Sequence, residues 1–149
     1  MSSAIIVCGV IVLVVISSII QNRRTARYLS GIARRREAES ICTFVRAMDY
    51  RRLDTVIVRA VYESVQADLR YAYPAFPLRP SDHVTRDLHL DAEDMEYTIL
   101  ELARRFDRNL DDYRHNPHYE ETDTVGGIIR FLCAQPVAGA AYCSSSRTR

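Results

Sequence analysis

From Ser3 to Ile20 the chain reads SAIIVCGVIVLVVISSII, with no charged residue and only small polar interruptions. At about 1.5 Å per residue this run nearly spans a hydrocarbon core of about 30 Å, which predicts a transmembrane anchor over residues 1–22. A cleaved leader would carry its positive charge before the apolar run and a small-x-small site after it. Here the charge follows, and the run closes on Ile19, Ile20 and Gln21. Beyond it the periodicity changes. Phe44, Val45 and Met48, then Leu53, Val56, Ile57, Ala60, Val61, Ser64, Val65 and Leu69 recur at three- and four-residue steps, the rhythm of an amphipathic helix. Asp54 is placed to open the second part of that stretch.

Pro74, Pro77 and Pro80 then fall within seven residues and predict a loop, because each biases its predecessor away from helical backbone. A second helix begins at Asp91-Ala92-Glu93-Asp94, with Asp91 as N-cap and Asp94 reaching back as in a capping box. Its apolar stripe is Met95, Thr98/Ile99, Leu102 and Phe106, and Arg104 and Arg105 complement its dipole. Asp107 to Asp123 is polar, contains Pro117, and predicts only short helical pieces. Thr124 caps a last helix, Val125 to Leu132, whose inward residues are Val125, Ile128, Ile129 and Leu132; Pro136 stops it. No strand alternation persists, so the predicted class is all-α. The predicted organisation is an anchor over 1–22, an Arg-rich juxtamembrane segment over 23–48, a helical domain over 49–134 and a disordered tail over 135–149.

Charge sharpens this picture. Arg23, Arg24, Arg27, Arg34, Arg35 and Arg36 follow the apolar run without an acid among them, whereas thirteen acids face five arginines between Asp82 and Asp123. The positive-inside bias predicts an N-terminus outside the cell's inner membrane and a cytoplasmic C-terminal domain. The six arginines are candidate lipid-headgroup ligands, each worth about 1 kcal/mol near an anionic surface, or a plain stop-transfer signal. Nucleic-acid binding finds no support, since phosphate would be repelled by the acidic domain.

The sequence Asp87-Leu88-His89-Leu90-Asp91-Ala92-Glu93-Asp94 resembles the Asp-Leu-Gly-x-Asp-Ser-Leu-Asp motif of acyl carrier proteins. The distance from Asp91 to Phe106 matches the second helix of that family, and Thr124-Val125-Gly126 through Phe131-Leu132 looks like the start of its last helix. The resemblance runs from Leu53 to Leu132 and is nearest to bacterial acyl-carrier-like domains of unknown function that lack the carrier serine. It implies a small helical bundle. In carriers that serine receives 4′-phosphopantetheine, but here the position is Ala92, which has no nucleophilic atom. Ser81 lies in the loop, and Thr98 lies toward the predicted core. His89 replaces the motif glycine, and Glu93 replaces a leucine. No phosphopantetheine or other cofactor is therefore expected.

The resemblance also implies that acids along the motif helix meet a basic protein partner, which makes Asp87, Asp91, Glu93, Asp94, Glu96 and Glu101 the candidate docking residues. Asp91, Glu93 and Asp94 have a competing role in capping and dipole compensation. His115 and His118 are separated by Asn116-Pro117, His83 and His89 have no ligand at fixed spacing, and Cys8, Cys42, Cys133 and Cys143 form no C-x-x-C pair. No metal site, disulfide framework or catalytic triad is expected. Three functions remain: a membrane-tethered, non-catalytic docking adaptor, a carrier serving a membrane-associated lipid or polyketide enzyme, and a structural or oligomerising membrane protein.

Overall fold

The first helix does not end where its apolar run ends. In the computed structural model, which describes residues 2–138, α1 (Ser2–Arg35) continues through the arginines as one 34-residue helix. Within it Gly9–Arg35 is long and apolar enough to cross a membrane, with a mean hydropathy of 1.2 and an apolar window that is 0% buried. Its last turns have another neighbour. Leu29, Ile32 and Ala33 are buried and belong to the same apolar cluster as Phe44, Met48 and the helices that follow. The core therefore draws on side chains from residues 23–48 as well as from 49–134, through apolar residues that stand at three- and four-residue spacing among the arginines.

The described residues form α2 (Ile41–Ala47), α3 (Thr55–Asp68), α4 (Ala92–Arg105) and α5 (Val125–Ala134), with 3-10 turns at Tyr50–Arg52, Tyr113–His115 and Tyr119–Glu121 and no strand. The fold is all-α. Its helix starts follow local chemistry. The Asp54 carboxylate accepts from Val56 N–H at 2.9 Å, the Asp91 carboxylate from Glu93 N–H at 2.8 Å, and Thr124 Oγ1 from Gly127 N–H at 3.1 Å. Each satisfies a donor that the first turn leaves free. Asp94, however, does not reach back to Asp91 as expected. The reciprocal arrangement occurs at α2, where Thr43 Oγ1 accepts from Ser40 N–H at 2.8 Å.

α3 packs against α2, α4 and α5, so its buried face is wide. Ile57, Val58, Ala60, Val61, Tyr62 and Val65 are inside, while Val56, expected on the stripe, is exposed. The proline loop also enters the core: Phe76, Leu78, Val84 and Leu88 are buried. The link after α4 holds only its two 3-10 turns, as its composition predicts. Residues 135–138, assigned to a disordered tail, are instead bonded to that link. Asn109 N–H donates to Pro136 O at 2.8 Å, and Arg108 pairs with Val137 in an isolated bridge. The remainder of the predicted tail, 139–149, lies outside the described residues.

α5 starts in a tight place. A Cβ on Gly127 would overlap the Glu121 carbonyl and come within 2.9 Å of Thr124 Oγ1, while one on Gly126 would meet Pro80 O at 2.8 Å. Gly127→Ala is expected to destabilise the domain by about 1–3 kcal/mol through overpacking against backbone. Thermal unfolding checks this, and an unchanged midpoint would show that the turn gives way freely.

Candidate functional site

α4 separates its chemistry by face. Met95, Leu102 and Ala103 are buried, and Thr98, Ile99 and the C-cap Phe106 are half-buried. The opposite arc, at about 100° per residue, carries Glu93, Asp94, Glu96, Tyr97, Leu100 and Glu101, all exposed. With Asp91 at the cap, five of the six candidate acids therefore share one solvent-facing surface. A surface of this kind speeds encounter with a basic partner and selects against acidic ones.

Asp87 is different. Its carboxylate accepts from His83 N–H at 3.0 Å and from Arg86 Nε at 3.3 Å, closing the loop ahead of α4. The His83 N–H and then the Arg86 guanidinium hold this carboxyl below the usual carboxylate range. These contacts tie Asp87 to the loop and set it apart from the five acids on the helix surface. A depressed folded pKa contributes stability that is present above the unfolded value of about 4 and lost as pH falls through the folded one. Asp87→Asn is therefore expected to lower the thermal midpoint at neutral pH and to narrow its gap from wild type at about pH 3. Equal gaps at both pH values would remove Asp87 from the acid response.

Two cavities flank α4. One, of about 660 Å³, is walled by Asn22 of α1, by Asp68 at the end of α3 and Tyr71 in the turn after it, and by Asp91, Asp94, Tyr97 and Glu101. The other, of about 420 Å³, is bordered by Ala92 and by apolar side chains including Met95, Ile99, Tyr119 and Phe131. Ala92 itself is exposed at the first position of α4. Its methyl group can neither attack nor be acylated. Thr98 does not replace it, because its Oγ1 donates to Asp94 O at 3.0 Å one turn further along. The contributions of Asn22, Asp68 and Tyr71 escape sequence reasoning, since no spacing rule links them to α4.

Arg23, Arg24, Arg27, Arg34 and Arg35 are exposed on α1, available to a surface. Arg36 is not. Its Nη1 lies 2.8 Å from Asp82 Oδ2, with 17% of the Arg36 side chain and 4% of the Asp82 side chain exposed. The domain supplies its counter-charge, which among the described residues the five exposed arginines do not have. A second link lies beside it, where Arg79 pairs with Glu39 and holds that carboxyl below its usual range.

The histidines go to separate partners. His115 Nδ1 lies 2.5 Å from Asp112, His118 Nδ1 lies 3.3 Å from Glu121, and His89, at φ 54°, sets its ring edge-on to Tyr28 with centroids 5.3 Å apart. Among the described residues no group of three or more His, Cys, Asp or Glu is placed to hold a metal ion. Cys42 and Cys133 are free thiols, and burial pushes the Cys133 thiol up. The side chain of Cys8 and all of Cys143 lie outside the described residues.

No protein-family model matches this chain, and neither a curated protein nor a solved structure matches it.

Proposed function

We propose that this protein is a membrane-tethered, non-catalytic docking module of acyl-carrier-like build, whose α4 receives a basic protein partner. The observation that carries this reading is the exposed arc of Glu93, Asp94, Glu96 and Glu101 on α4 beside Ala92, where the resemblance would require a serine. The order of elements supports it: a long helix, a proline loop, an acid-capped helix, an irregular link and a short Thr-capped helix. The arginines after the apolar run support an N-terminus outside the inner membrane and a cytoplasmic domain. Tethering then confines the module to the layer in which membrane-bound partners meet it.

Replacing Glu93 and Glu96 by Gln and Asp94 by Asn is expected to reduce co-purification of the partner about tenfold, with the wild type losing it in parallel as salt is raised. Circular dichroism of the triple variant separates lost docking from lost fold. Undiminished co-purification by a folded triple variant would leave these acids with only their capping and dipole roles. A phosphopantetheine adduct in the intact mass of the native protein would return it to the carriers.

A further inference from the structure

The same turn of α1 carries two surfaces. Asn22, the second polar residue after the apolar run, walls the acidic cavity beside α4. Arg23, Arg24 and Arg27 are exposed, and helical geometry sets them about 100°, 200° and 140° around the axis from Asn22, away from that cavity. Among the described residues none of these three arginines forms an ion pair. Within one chain, then, the basic face is not paired with the chain's own cavity. A membrane-spanning α1 holds both surfaces at one depth in every copy, so neighbouring chains present each to the other without leaving the bilayer.

We propose that the Arg23–Arg24–Arg27 face of one chain docks into the α4 cavity of a second copy, side by side in one membrane. This rests on the docking reading above and names its partner. The cavity has the chemistry of a guanidinium receptor. Its carboxylates from Asp68, Asp94 and Glu101 can each accept a forked pair of hydrogen bonds, and Tyr71 and Tyr97, 52% and 66% exposed, offer rings on which a planar cation stacks. Burial first, and then the Asp94 carboxylate, push the Asp68 carboxyl up, and an incoming cation offsets the second of these. Because the two patches differ, the contact is heterologous. Each pair keeps one free face and one free cavity, so copies assemble into rows or rings.

The test uses full-length chains carrying donor or acceptor fluorophores in phosphatidylcholine vesicles. Energy transfer above chance proximity is expected for wild type. Reversing the cavity with Asp68→Arg and Glu101→Arg, both near helix C-terminal ends where a cation suits the dipole, is expected to weaken association about tenfold or more. Reversing the basic face with Arg23→Glu, Arg24→Glu and Arg27→Glu is expected to do the same, and mixing the two variants to restore transfer. Chance-level transfer in wild type, full transfer in either folded variant, or no recovery on mixing would each overturn the proposal. If self-association fails while a foreign basic partner still requires Glu93, Asp94 and Glu96, the docking reading stands and only its assignment to a second copy falls. Loss of both removes both.

Discussion

Asp82→Ala is expected to cost about 3–5 kcal/mol, since removing one member of a buried ion pair leaves the other charge without compensation. Asp82 is 3% exposed, and its carboxylate accepts from Arg36 Nη1 and from Arg79 N–H, each at 2.8 Å. Its own carbonyl accepts from Val125 N–H at 3.1 Å. One residue thus joins the end of α1, the proline loop and the start of α5. The thermal midpoint is expected to drop by on the order of 10 °C or more. Arg36→Ala with Asp82→Ala is expected to cost less than the two single changes added together, because the pair is then lost as a unit. A shift of only a degree or two for Asp82→Ala, with an intact fold, would mean that water reaches the site and screens it.

The second large effect lies in the loop. Phe76 is 0% exposed, and its carbonyl accepts from Gln66 Nε2 at 3.0 Å. Phe76→Ala is expected to destabilise by about 3–5 kcal/mol through lost transfer energy and the cavity left behind. Phe106→Ala is expected to cost less, since Phe106 is only half-buried at the end of α4. Chemical denaturation of both variants ranks them. A larger loss for Phe106→Ala would place the centre of the core at α4 instead of at the loop.

These two residues mark where sequence reasoning stops. Asp54, Asp91 and Thr124 are legible as helix starts because a cap acts on a donor only two or three residues away. The stripes of α4 and α5 are legible because each helix has one apolar side and a contrasting polar one. Arg36 and Asp82 lie 46 positions apart, and nothing in either neighbourhood names the other. In the loop, prolines announce irregular backbone but not depth, so the burial of Phe76 and Leu78 cannot be inferred from pattern. Val56 and Val58 show the same limit within a helix: α3 is enclosed by three neighbours, and periodicity alone does not decide which valine faces water. Of the candidate docking residues, the acids of α4 are legible from helical phase. Asp87 is not, because its role is set by a loop closure onto His83.

In the membrane-tethered protein proposed above, the unbroken passage of α1 from the apolar run into the core makes the domain's azimuth a property of the anchor. A helix has no swivel, so one residue inserted between Gln21 and Asn22 turns everything below it by about 100° and displaces it about 1.5 Å along the axis. Seven inserted residues return it to within about 20° of its first bearing, but about 10 Å further from the bilayer. The direction in which α4 points around the membrane normal is therefore written in the number of residues above it, like a key whose bit is set by the length of its shank.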